Sequence, residues 1–212
     1  MAILLYEFRT SSSSWRVRWA LKVKGVPYRS VAIDLRAGQQ RSDEHRARNP
    51  LGYVPTLSID GRFLGESVAI IEFLDERIPE PPLYPRDAWA RARTRQVVEL
   101  VNSGIQPMQN LAVMERHTSE LDEKKEWSRY FNQRGMEALE RLLTLLVDEG
   151  TGGRFSVGDT LTAADLFVVP QVSSARRFDV PLDRYPRVLA VEKAALETEH
   201  AAAAHPDQQP PA

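Results

Sequence analysis

The 212-residue sequence contains no cysteine. That absence excludes disulfides, thiolate metal sites and a nucleophile made from the protein's own sulfur. Any sulfur chemistry here has to use sulfur carried in by a ligand. Excess charge is also missing: 28 Lys and Arg against 29 Asp and Glu leave a formal −1, so no overall field draws nucleic acid or an anionic membrane. No apolar run approaches the roughly 18 residues that suggest a membrane span. The amino terminus, Met1 to Phe8, has no basic region ahead of its apolar stretch and does not read as a secretion signal, so a cytoplasmic location is expected. His45, His117, His200 and His205 show neither metal-ligand spacing nor a linked acid; they are read as surface residues, with no metal site.

What is present is an ordinary globular composition, 42% hydrophobic and 27% charged, in a chain long enough for one large domain or two compact ones. Proline decides between these. Pro79, Pro81, Pro82 and Pro85 crowd into seven residues; proline fixes φ and lacks an amide hydrogen, so residues 79–87 are expected to form an extended linker. Ahead of it, residues 1–78 read as a strand over 3–8, a helix from Trp15 to Lys24 stopped by Gly25, and a strand from Tyr28 to Leu35. A hairpin about Asp60-Gly61 and a helix after Glu66-Ser67 follow. Behind it, residues 88–212 read as helical: Ala88 to about Glu115, kinked by Gly104 and Pro107, then about Lys124 to Glu149, then helices beginning near Thr162 and near Tyr185-Pro186. The proline-rich tail from His200 to Ala212 is expected to fray. The fold class is thus α/β plus all-α, a small mixed domain followed by a helical one.

Three places in the first domain carry candidate chemistry. Thr10-Ser11-Ser12-Ser13-Ser14-Trp15-Arg16-Val17-Arg18 lies between the first strand and first helix. A serine there can cap the helix, or donate to an anion held by unsatisfied amides and the helix dipole, lowering the pKa of a bound thiol. A flexible turn with a cap is the plainer reading of the run. Tyr53-Val54-Pro55-Thr56 precedes the hairpin; a cis proline would leave backbone groups for an extended peptide, although spacing alone favours trans. Gly65-Glu66-Ser67 either caps the next helix or presents an anion site at Ser67 and a carboxylate, Glu66, for an ammonium group. Together the three match the thiol, the peptide backbone and the paired ammonium and carboxylate of glutathione. Thr162-Ala163-Ala164-Asp165 has the form of a capping box and is read as structural. Arg91, Arg93 and Arg95 are read as a solvated helix face.

The run Ser11-Ser12-Ser13-Ser14-Trp15-Arg16-Val17-Arg18 resembles the signature Ser-Ser-Cys-Ser-Trp-Arg-Val-Arg of the zeta-class glutathione transferases, the maleylacetoacetate isomerase family. Similar blocks follow in family order: Gly38-Gln39-Gln40, Asn49-Pro50, Val54-Pro55-Thr56-Leu57, Glu66 to Glu72, Gly104 to Leu111, Val157 to Leu166, Val169 to Val172, Arg177-Phe178 and His205-Pro206. The likeness spans nearly the whole chain. It implies a thioredoxin-like domain, a helical domain, a homodimer and glutathione as cofactor. It places Ser11 against the glutathione sulfur, with Ser12, Ser13, Ser14, Trp15 and Arg16 lining the same helix start, although Thr10, a one-residue insertion, leaves Ser12 open as the nearer serine. Gln40, Val54, Glu66 and Ser67 would hold the tripeptide, with Pro55 cis, and Gln106, Asn110, Leu111 and Ala112 would close the site from the helical domain. Arg9, Arg16 and Arg177 would receive substrate carboxylates, because a guanidinium makes paired, charge-assisted contacts.

Ser13 stands where the family usually has cysteine, and Glu66 where the class often has glutamine. Retained chemistry with altered efficiency or substrate range is the expectation. The implied reaction on a small-molecule substrate is cis–trans isomerisation of a short dicarboxylic enone such as maleylacetoacetate, in tyrosine and phenylalanine breakdown. Maleylpyruvate isomerisation, glutathione transfer to small electrophiles or α-halo acids, and a non-catalytic binding module stand as alternatives.

Overall fold

The computed structural model describes residues 3–210; Met1 and Ala2 of the amino-terminal stretch and Pro211 and Ala212 of the tail lie outside the described residues. The chain forms two compact units, one up to Pro82 that also takes in the residues from Thr198 onward, the other Leu83–Glu197.

In the first unit a four-stranded sheet has the order β2-β1-β3-β4, with β1 (Ile3–Glu7) parallel to β2 (Arg29–Ala32) and antiparallel to β3 (Thr56–Ile59), which pairs with β4 (Arg62–Leu64). The hairpin turn follows its residues: Asp60 and Gly61 both have positive φ, 51° and 76°, as a two-residue Asp-Gly turn requires. The strand expected over 28–35 is shorter, because the Asp34 carboxylate accepts from the amides of Arg36 and Ala37 and turns the chain. Helices α1 (Ser12–Val23), α2 (Asp43–Arg48) and α3 (Ser67–Arg77) complete the unit before the linker. Helix α1 starts three residues ahead of Trp15, since Ser11 accepts from the Ser14 amide at 3.2 Å as its N-cap.

Helix α1 is buried without a break from Ser14 to Leu21, Arg16 and Arg18 included. Arg18 forms a buried ion pair with Glu7 of β1. It also donates to the carbonyls of Arg9, at 3.0 Å, and Ala204, at 3.1 Å. The last bond corrects the expectation of a frayed tail. Helix α9 (Ala201–Ala204) packs on α1 with Ala201 and Ala204 buried, so the described residues from Thr198 group with the first unit and not with the helical one. At the other end of α1, the buried Lys24 ammonium donates to Asp75 Oδ1 (2.6 Å) and to the carbonyls of Ile78 (2.7 Å) and Pro81 (2.6 Å). It ties α3 and the start of the proline segment to the first unit.

Within the rest of that segment two residues, Leu83 and Tyr84, are buried in the second unit, where the Leu83 carbonyl accepts from the Ala163 amide at 2.7 Å. Arg91 and Arg95 lie over the Tyr84 ring, and Arg93 pairs with Glu149 and covers Trp89, so this arginine row is paired and stacked, not merely solvated. Helix α4 (Ala88–Glu99) runs into a π-helical turn, Leu100–Ile105, and a 3-10 turn, Gln106–Gln109; Gly104 and Pro107 thus break the long helix where a kink was expected. Ile105 is accommodated by Gly135 of α6 (Leu121–Asp148), where any Cβ would overlap it. The short α5 (Leu111–His117) lies between.

Helix α7 (Ala163–Arg177) forms the core of this unit, and α8 (Pro186–Leu196) starts at its proline as expected. The capping box at Thr162 is present, and Asp165 reaches further: its fully buried carboxylate also accepts from the Ser156 amide at 2.8 Å. Burial pushes this carboxyl above the ordinary range, against the pull of those donors. Asp165→Ala leaves two buried amides without an acceptor and removes a cap. A loss of about 2–3 kcal/mol is expected in urea unfolding, with the circular dichroism of the folded protein unchanged.

Candidate active site

The serine run sits where a strand hands over to a helix. Ser11, Ser12 and Ser13 are partly exposed at the start of α1. Ser11 spends a lone pair of its hydroxyl on the Ser14 amide, which leaves its O–H hydrogen free to donate outward. The amides of Ser12 and Ser13 lie in the first helical turn, where no intrahelical carbonyl can reach them. An anion is favoured here. Ser14, Trp15 and Arg16 do not share this surface: all three are buried, Ser14 accepting from the Phe8 amide at 3.4 Å and Trp15 packing edge-on to His205. Their place as lining side chains is corrected accordingly, and Arg16 cannot meet a substrate carboxylate directly.

Val54-Pro55 is a cis peptide bond, as the resemblance implies and spacing alone did not favour. The loop that carries it is held from beneath. His45 Nε2 lies 2.8 Å from the Tyr53 carbonyl, and Asn49 Nδ2 donates to that carbonyl and to Thr56 Oγ1, both at 3.2 Å. His45 is only 1% exposed, so it is a loop-fixing core residue and the surface reading of it is corrected. The signal was its position one turn before Asn49-Pro50. Asn49 also underlies Gly65, where an added Cβ would stand 3.0 Å from Nδ2, so one buried amide supports both the Val54 loop and the approach to α3.

At that approach Glu66 has φ 62° and ψ 116°, a conformation sparsely populated outside glycine, and its side chain makes no capping bond. The carboxylate is thereby exposed beside the first turn of α3, and Ser67, 4% exposed, opens the helix. Gln40 is buried, its Nε2 donating to the Leu35 carbonyl at 3.4 Å and its Oε1 without a hydrogen-bond partner among the described residues. The first unit therefore brings together hydroxyl donors, two helix starts and one exposed carboxylate. That set fits an extended ligand with a thiol, a carboxylate and an ammonium group.

In the second unit Gln106 and Asn110 are partly exposed, and Asn110 caps α5 by accepting from the Ala112 amide at 3.0 Å. Leu111 and Ala112 are exposed on α5; Ala112 borders an open apolar recess of about 430 Å³ with Val113, Arg116, His117 and Trp127. Gln109, between the expected residues, is the hub of a buried amide network that the sequence reading missed. Its Oε1 accepts from Asn132 Nδ2 (2.9 Å), Ser174 Oγ (2.9 Å) and Gln171 Nε2 (3.4 Å), tying the Gln106–Gln109 turn to α6 and α7. Arg177 ends α7 one turn beyond Ser174, exposed, against the Phe178 ring and with no carboxylate partner among the described residues. Desolvation lowers its pKa from the ordinary arginine value. Arg9 is partly exposed in the first unit, its backbone held by Arg18. Among the described residues there is no cluster with the makings of a metal site and no helix long and apolar enough to cross a membrane.

Comparison with known proteins places this geometry. Residues 5–82 match the glutathione S-transferase amino-terminal domain and residues 112–194 the carboxy-terminal domain. The maleylacetoacetate isomerase of Rattus norvegicus is 42% identical over 209 residues, covering 98% of this chain and 94% of that protein. A maleylacetoacetate isomerase structure from Anaeromyxobacter dehalogenans, with glutathione bound in its active site, superposes with a TM-score of 0.87 at 45% identity, covering 99% of this chain and 97% of that one. The holo structure of a bacterial zeta-class maleylpyruvate isomerase reaches 0.92 at 38% identity, with 98% of each chain covered. The chain belongs to the glutathione S-transferase family, with a thioredoxin-like first domain and a helical second, and within that family to the zeta class alongside the maleylacetoacetate isomerases.

Proposed function

We propose that this protein is a glutathione-dependent cis–trans isomerase of short dicarboxylic enones, with maleylacetoacetate as the first substrate to test. The observation that carries the reading is the Ser11 hydroxyl, committed as acceptor to the Ser14 amide and left with its hydrogen to donate at an anion-favouring helix start. Glutathione, held there by the first unit, would supply a nucleophilic thiolate for reversible covalent catalysis at an activated double bond and would be regenerated.

The protein's part is to bind, orient and hold charge. Ser11 donates to the sulfur and, with the first-turn amides of Ser12 and Ser13, favours its ionised form. Glu66 faces the ammonium group and Ser67 the neighbouring carboxylate of the γ-glutamyl end, while the Val54 backbone and Gln40 hold the rest of the tripeptide. Arg9 in the first unit and, separately, Arg177 in the second have no carboxylate partner among the described residues, which suits either guanidinium to a substrate carboxylate. Exposed apolar side chains in each unit, Leu51 and Phe63 in the first and Trp89 in the second, support assembly as a homodimer, and the reading places the enzyme in the cytoplasm.

The test is an absorbance assay on the cis enone with glutathione at a few per cent of substrate. Complete conversion to the trans isomer is expected; consumption of one glutathione per substrate would mean transferase chemistry instead. Calorimetry that shows no glutathione binding would leave only the non-catalytic module. The likeness to maleylpyruvate isomerase favours one second reading, decided by comparing kcat/KM on the two enones.

A further inference from the structure

Arg16 is 0% exposed, and its Nη1 donates to Ser67 Oγ at 3.3 Å, across 51 residues of sequence. A guanidinium only donates, whereas a hydroxyl has one hydrogen and two lone pairs. The contact therefore occupies a lone pair of Ser67 and turns its hydrogen away from Arg16, toward whatever acceptor stands at the start of α3. The N-cap of that helix, Glu66, makes no side-chain capping bond, so nothing from the cap competes at its first turn. The guanidinium is a buried cation at hydrogen-bond distance from the first residue of α3, where the helix start also carries partial positive charge.

We infer that Arg16 is a positioning residue for the carboxylate of the γ-glutamyl end: it never touches glutathione, and it acts by orienting Ser67 and by placing a buried cation under the anion. The inference rests on the proposed reading that Ser67 meets this carboxylate. It differs from the role that the resemblance implied for Arg16, reception of a substrate carboxylate, which burial rules out. A lysine cannot replace it fully, since the planar fork is what reaches a hydroxyl from inside a packed helix.

Calorimetry with two ligands tests it: glutathione, and 4-aminobutanoyl-cysteinylglycine, which is glutathione without that one carboxylate. Relative to the unaltered protein, Arg16→Met is expected to weaken glutathione binding by about tenfold or more, the scale of a hydrogen bond and charge lost at a carboxylate. Binding of the shortened ligand should change by less than about twofold. The same substitution made in Ser67→Ala should cost much less than in the unaltered protein, and Arg16→Lys should recover part of the loss. In steady-state assays the KM for glutathione should rise while the KM for the enone stays put.

Equal losses for both ligands would overturn the inference in favour of a structural role, and a rise in the enone KM would restore the direct one. Should Arg16→Met not fold, Arg16→Lys carries the same two-ligand comparison, with a selective loss expected and an unselective one fatal. Failure of the unaltered protein to bind glutathione would bring down the functional reading and this inference with it; normal binding that the Arg16 variants leave untouched would bring down this inference alone.

Discussion

Ser11→Ala is expected to lower turnover of the cis enone by about 10²–10³-fold, the scale seen when one preorganised donor to a developing anion is removed. The alanine variant loses two things at once: a donor to sulfur and the cap on α1. A lost cap costs only about 1 kcal/mol, so the fold should survive, and the two effects can be separated. Ser11→Asp keeps a good capping oxygen but sets a negative charge against the thiolate; it should be nearly as stable as the unaltered protein and nearly inactive. The pH profile carries the sign. A donor to the ionised sulfur lowers the thiol pKa, so its removal raises the bound thiol back toward about 8.5. Activity of Ser11→Ala should then climb with pH beyond the point where the unaltered enzyme has levelled off. A profile with an unmoved rising limb, or a larger loss in Ser12→Ala, would transfer the role to Ser12.

Lys24→Met should cost about 3–5 kcal/mol, read as a lower urea midpoint at unchanged slope. Methionine matches the length of the lysine stem, so packing is nearly kept and the loss is electrostatic. Asp75 loses its ammonium partner, and the Ile78 and Pro81 carbonyls lose their donor. Adding Asp75→Leu should recover only part of the loss, since the Ile78 and Pro81 carbonyls still lack their donor. Full recovery in the double variant would show that the carbonyl bonds contribute nothing to anchoring the linker.

Features governed by near neighbours are legible in the amino-acid sequence alone. The Asp60-Gly61 hairpin, the Thr162–Asp165 box, the helix that starts at Pro186 and the serine-capped entry to α1 all rest on residues a few positions apart. The family signature carries the candidate residues as a set, because a motif keeps its spacing.

The misread side chains Arg16 and Gln109, and the buried Arg18, share a physical cause: their partners are distant along the chain. An arginine in a helix reads the same whether it faces water or a residue 51 positions away, as Arg16 does, or a carbonyl 186 positions away, as Arg18 does. One hint was available, since Glu7 ends an apolar strand and a buried acid calls for a buried base. No comparable hint marked Gln109, which stands near two other amide side chains, Gln106 and Asn110, and whose partners come from two other helices. Composition and local pattern were enough to exclude protein-derived sulfur chemistry and to indicate most of the elements, while the family resemblance implied the ligand. Which polar groups point inward was settled by the packing, because the cost of burying a charge depends on whether a partner arrives, and that is a property of the folded chain.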